Sequence, residues 1–243
     1  MSRIALAFSL VTALSSLAVA APSFATAPPD APVTAPVAPP VEVPLADRVD
    51  TSVSRAPITR ASLRASVRAM LIENRAANLA RFRAYRLAGS YPSNVYTGST
   101  LNVWRDPDGK FCAAATIIRS SGDTALVEQI AEDNNFIRLA TVTSGPLMDW
   151  ILMSGLTQAE LALIQRPFMP VTNRPQLEEP ITASISATLR AKEDARLARL
   201  YKRIDATLVR NHRTSLDAAV DRLMKNPTLA RQLVHGDRSA SNS

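Results

Sequence analysis

The chain has 243 residues, of which 47% are hydrophobic, a formal charge of +7 and a mean hydropathy of +0.01. That apolar content supports a buried core and excludes a wholly disordered chain. One Cys and two His exclude an internal disulfide and a zinc cluster of thiolates and imidazoles.

Arg3 precedes an apolar run from Ile4 to Val19, which ends in Ala18-Val19-Ala20. This is the layout of a secretory signal peptide over 1–20, with a second cut site after Ala25. The run is shorter than the roughly 20 residues of a spanning helix, so a cleaved leader is preferred to a retained anchor. Export to the periplasm or cell exterior of a bacterium follows as the expectation. Residues 21–54 carry eight Pro among Ala, Val and Thr. Proline removes a donor and restrains the residue before it, so a polyproline II spacer is expected ahead of the domain.

One domain is expected over 55–236, mainly α-helical but of the α+β class, with a frayed tail over 237–243. Thr59 or Ser62 is placed to cap a long amphipathic helix over about 60–88, and Gly89 to end it. Leu63, Val67, Met70, Leu71 and Phe82 recur on one side of that helix at three- and four-residue steps. Asp106-Pro107-Asp108-Gly109 has the chemistry of a hairpin turn, so 101–118 is expected to be an antiparallel hairpin. Asp123 caps a short helix closing near Asn134, and 136–143 alternates well enough for a third strand. Ser144-Gly145-Pro146 opens another helix that stops at Gly155, and Thr157-Gln158-Ala159-Glu160 is a capping box for the next. That pair has a helix-turn-helix outline. Its second helix has no Lys or Arg before Arg166, which argues against DNA.

A loop punctuated by Pro167, Pro170, Pro175 and Pro180 leads to a helix over 183–210. Its stripe of Ile185, Leu189, Leu197, Leu200, Ile204 and Leu208 is broader than a coiled-coil seam. Intramolecular packing is therefore preferred to pairing with a second copy, although this helix is the route a homo-oligomer would use. Helices starting at Thr214-Ser215 and at Asn226-Pro227 follow, the last ending at Gly236.

No two of the seven Gly lie closer than nine residues, and Gly109-Lys110 is followed by Phe111. Nucleotide cradles are thereby excluded. Placing Gly109 at the sixth position of a calcium loop puts Trp104 and Ala115 at ligand sites, so calcium is excluded too. No cofactor or metal is expected. Asp106 and Asp108 are explained by the turn, Asp123 and Glu160 by caps and Glu178-Glu179 by a solvated loop; Asp149 has no such explanation and is read as the solvated side of its helix. Cys112 is the one candidate nucleophile, for a thiol hydrolase or transferase. Its setting of Phe111 and three Ala suits a core residue better.

The charge is unevenly spread: −2 over 1–54, +7 over 55–86, −4 over 87–180 and +6 over 181–243. Arg64, Arg68, Arg75, Arg81 and Arg83, with Arg196, Arg199, Lys202 and Arg203, are the candidate partner-binding residues. Arginine forks suit carboxylates and phosphates. In the envelope such a partner is a lipid headgroup, a cell-wall polymer or an acidic protein; no aromatic platform is interleaved for nucleic acid. The expected role is binding or structure rather than catalysis.

Overall fold

The computed structural model describes residues 59–172 and 185–240. The leader, the Pro-rich spacer, Pro175 and Pro180 of the loop, and the last three residues lie outside the described residues.

The spine is α1, Arg60–Ala88, 29 residues long and hence about 43 Å at 1.5 Å per residue. Its ends are where the sequence puts them. The Thr59 hydroxyl accepts from the Ser62 amide, and the Gly89 amide bonds back to the Tyr85 carbonyl. Among the described residues seven further helices follow: α2 (Ala113–Ser120), α3 (Thr124–Asp133), α4 (Pro146–Met153), α5 (Gln158–Ile164), α6 (Ala187–Arg210), α7 (His212–Leu223) and α8 (Pro227–Ala240). A 3-10 turn, Leu139–Thr141, joins α3 to α4. The N-terminal half of α1 buries Leu63, Val67 and Leu71 against Leu216, Val220 and Leu223 of α7 and Leu229 of α8. Its C-terminal half buries Leu79, Phe82 and Tyr85 in a larger core built on α2 and α6.

The expected antiparallel sheet does not exist among the described residues. Only three isolated bridges occur, Asn94 with Pro170, Leu101 with Phe168 and Arg105 with Phe111. The turn at 106–109 is present, with Gly109 at φ 76° and the Asp106 amide bonded to the Lys110 carbonyl at 2.9 Å. The returning strand is absent, because Cys112 caps α2 instead: its Sγ accepts from the Ala115 amide. Three consecutive Ala favour helix, and Ala113, Ala114, Ile117 and Ile118 are all buried. A short, wholly apolar run reads equally as a core strand or a core helix. The expected third strand over 136–143 fails for a different reason. The Leu139 amide donates to Gln165 Oε1 and its carbonyl accepts from Gln158 Nε2, so side-chain amides take the bonds a neighbouring strand would have made.

Smaller corrections fall at helix ends. α7 starts at His212, two residues ahead of Thr214, and α8 runs four residues past Gly236. The capping box of α5 is complete, with Thr157 and Glu160 each bonded to the other's backbone amide. The α6 stripe residues Leu197, Ile204 and Leu208 are buried within this chain. Among the described residues no single helix is long and apolar enough to cross a membrane.

Candidate anion-binding groove

The candidate arginines divide into a structural set and an accessible set. Arg64 pairs with Asp221 at 2.6 Å, Arg68 with Asp217 and Arg83 with Asp205 at 3.0 Å. The basic face of α1 is thus largely the surface on which the acids of α6 and α7 dock. Arg75 is fully buried and salt-bridged to Glu160, and Arg196 clasps buried Glu193 while also donating to the Pro167 carbonyl. Arg199, Lys202 and Arg203 are exposed at i, i+3 and i+4 on α6, and make no ion pair among the described residues. The candidate set therefore does not converge on one site.

Arg81 belongs elsewhere. It borders a groove of about 730 Å³ between the end of α1, the 106–109 turn and α2, whose rim also carries Lys110 and Arg119. Among the described residues no carboxylate lines this groove. Tyr85, Phe111, Ala84 and Ala88 form its apolar floor, and Leu87, 77% exposed, lies one helical step away. The volume lies within the range of small-molecule sites.

Each cation is held by a local device. Arg81 donates through Nε to the Ser120 carbonyl and through Nη1 to Asn78 Oδ1, tying α1 to the end of α2. Lys110 is positioned by Asp106, a buried carboxylate whose Oδ1 accepts from the Lys110 amide and Oδ2 from the Ser93 amide. Its ammonium has exposed Asp108 4.0 Å away. Arg119 stacks over Phe111, 5.1 Å from the ring centroid, a geometry worth about 0.5–1 kcal/mol at an exposed site.

Nothing in the sequence brings Lys110 and Arg119 together, because the strand expected over 110–118 scatters side chains between two faces. On a helix, Thr116, Arg119 and Ser120 fall at i, i+3 and i+4 and share the groove wall. The capping Cys at 112 followed by three Ala was the signal available.

Cys112 is fully buried at the start of α2. Burial pushes its thiol up to about 12, and the Ala115 and Ala114 amides offset only part of that. A thiolate nucleophile at neutral pH is thereby disfavoured. His212 accepts a bond from Arg75 Nε at 3.2 Å through Nδ1. Asp149 lies half-buried in the first turn of α4, a position that suits a carboxylate through the helix dipole. No group of three or more metal-ligating side chains occurs among the described residues. No protein-family model, curated protein or solved structure matches the chain.

Proposed function

We propose that the protein is a non-catalytic binding protein of the bacterial cell envelope, exported by the 1–20 leader, and that its partner is an anionic lipid surface engaged at the groove. One observation carries this reading: Arg81, Lys110 and Arg119 share a concave surface whose lining among the described residues includes no carboxylate, only Lys110 having one nearby, exposed Asp108 at 4.0 Å, whereas most α1 arginines are spent on internal pairs. A cationic rim over an apolar floor suits an anionic head with an attached apolar chain. A cell-wall polymer or an acidic protein would use the rim without the floor.

The test is co-sedimentation of the full chain with phosphatidylglycerol vesicles and with phosphatidylcholine vesicles. Retention on the anionic vesicles alone is expected, with loss as NaCl rises and a drop of about tenfold in Lys110→Gln/Arg119→Gln. Arg81 is left intact because it also braces α2. Equal retention on neutral vesicles, or no effect of the double substitution, would refute the reading.

A further inference from the structure

A small pocket of about 170 Å³ opens between α7 and the corner where α4 turns into α5. Ile151 and Leu156 bring one of the two cores to it, Ala219 brings the other, and Leu152 packs against both. The walls stay apart because both are tied to α1. Three successive carbonyls of the corner, those of Met153, Ser154 and Gly155, accept from Asn74, Asn78 and Arg75 of α1 at 2.8, 2.8 and 3.1 Å. α7 is fastened to the same helix by Arg64 with Asp221 and by Arg68 with Asp217. Ala159, Ala218 and Ala219 have side chains too short to fill the gap that remains. The site is therefore organised before a ligand arrives. Its size suits a six-carbon body, since an apolar cavity of about 150 Å³ admits benzene.

One charge stands at this pocket. Arg222 lines it, and among the described residues no carboxylate does. Arg222 Nη2 donates to Gln158 Oε1 at 2.8 Å and to Met148 Sδ at 3.7 Å, which holds the guanidinium across the gap from α7 to α5 and α4. Among the described residues its Nε and Nη1 make no hydrogen bond and its side chain makes no ion pair. The side chain is exposed, so an entering ligand can reach those nitrogens. The other polar side chains of the lining are spent internally. Gln158 Nε2 donates to the Leu139 and Val142 carbonyls, and Thr157 Oγ1 accepts from the Glu160 amide. What the pocket offers a ligand is apolar wall and a single positive charge.

We propose that this pocket binds a small apolar carboxylate, a short fatty acid or an aryl acid, with its hydrocarbon body against Ile151, Leu152 and Ala219 and its carboxylate on Arg222. One cation balances the single charge that a carboxylate carries at neutral pH, whereas a phosphate monoester carries more. Arg222 Nη1 donates to a carboxylate oxygen without giving up the bond from Nη2 to Gln158, and that charge-assisted bond is of the strong kind. The groove between α1 and α2 has no part in this site.

Calorimetric titration of the full chain at neutral pH and low salt with butyrate, hexanoate, octanoate, benzoate and uncharged hexanamide tests it. Saturable binding of one hexanoate or benzoate per chain is expected. Affinity should rise about fourfold with each methylene from butyrate to hexanoate, the worth of burying it, and level off at octanoate, whose tail outgrows the pocket. A tighter fit for benzoate assigns an aryl acid, and a tighter fit for hexanoate assigns a fatty acid. Hexanamide should bind about tenfold more weakly, for want of the charged hydrogen bond. Arg222→Gln should bring hexanoate down to that level, and Arg222→Lys, which keeps the charge, should fall between. Ala218→Leu places a good helix former at an exposed position of α7; it should fill the pocket and abolish binding with the melting temperature unchanged. Lys110→Gln/Arg119→Gln should bind hexanoate as the parent does. No saturable binding, hexanoate affinity that survives Arg222→Gln or Ala218→Leu, or equal affinity for hexanamide would overturn the proposal. A parent dimer that Ala218→Leu converts to a monomer would overturn it too, by giving the pocket to a second copy.

Discussion

Arg75 and Glu160 form a two-bonded ion pair inside the protein, Nη1 to Oε2 at 2.8 Å and Nη2 to Oε1 at 2.7 Å. The remaining guanidinium donors reach the Gly155 carbonyl, the Leu208 carbonyl and His212 Nδ1. All five N–H groups of the fork thus find acceptors, on α5, on the α4–α5 turn, at the end of α6 and at the start of α7. One side chain of α1 therefore fixes the meeting point of four other segments. Glu160 does double duty, since the same carboxylate closes the capping box with Thr157.

Removing one partner of this pair should be far worse than removing both. Glu160→Ala strands a buried cation and should cost about 3–5 kcal/mol in urea unfolding. Replacing Arg75 and Glu160 together by Met and Leu should recover most of that loss, because two apolar side chains leave no charge unpaired. A double variant as unstable as Glu160→Ala would contradict this account of the hub.

The same pair sets an acid limit. Burial alone would push the Glu160 carboxyl up, but the bonds from Arg75 and the Thr157 amide outweigh it and hold it below the usual value. A depressed carboxyl contributes stability above its unfolded value, about pH 4.3, and that contribution is lost as pH falls through the lower folded value. Melting temperature should accordingly drop as pH falls below about 4, and Glu160→Gln should flatten that part of the curve. An unchanged acid limb in the variant would assign the loss to other carboxylates.

Cys112 sets an alkaline limit by the opposite sign. Burial raises its thiol from 9.0 to about 12, so the fold favours the protonated form and this contribution is complete below pH 9. It declines as pH rises from 9 toward 12. Alkylation of the native chain at pH 8 should be slow and should accelerate only with denaturant. Cys112→Ala should move the alkaline unfolding midpoint upward, despite losing the sulfur cap of α2. Rapid native labelling would reinstate the nucleophile.

Two glycines with positive φ should respond differently to alanine. A Cβ on Gly155 would lie 2.2 Å from the Leu71 carbonyl oxygen and 2.7 Å from the Arg75 amide, both backbone atoms that cannot move aside. A Cβ on Gly109 would meet nothing within 4 Å. Gly109→Ala should therefore cost only its left-handed strain, about 1 kcal/mol, and Gly155→Ala about 2–5 kcal/mol because overpacking is added. Urea midpoints of the two variants decide the comparison, and equal losses would contradict it.

Much of this architecture was legible where local chemistry and long-range packing agree. Thr59, Gly89 and the Thr157–Glu160 box mark helix ends by hydrogen bonds made within a few residues, Pro146 marks one by its fixed φ and missing donor, and those ends are where the structure has them. The turn at Gly109 was legible for the same reason. What followed it was not, because Ala113 to Ile118 is buried apart from Thr116 and carries no polar alternation to separate strand from helix. Phe136 to Thr143 alternates like a strand, yet its backbone is satisfied by Gln158 and Gln165, more than fifteen residues away from the groups they bond. The arginine-rich faces were visible, but their destination depends on Asp205, Asp217 and Asp221, which only the folded chain brings to α1. Arg81 stands out in the sequence on a long Arg-rich helix, whereas Arg119 meets it only because α2 is a helix and Lys110 only because the 106–109 turn folds beside it.

The most direct measurement is the salt dependence of affinity for phosphatidylglycerol vesicles, with Lys110→Gln/Arg119→Gln compared against Arg199→Gln/Lys202→Gln/Arg203→Gln. Removing groove cations should weaken binding by about tenfold and shallow the fall of affinity with salt, while the α6 ridge variant, despite losing three charges, stays close to the parent. If the ridge variant loses more affinity than the groove variant, or the two lose affinity only in proportion to charge removed, the groove is not the binding site.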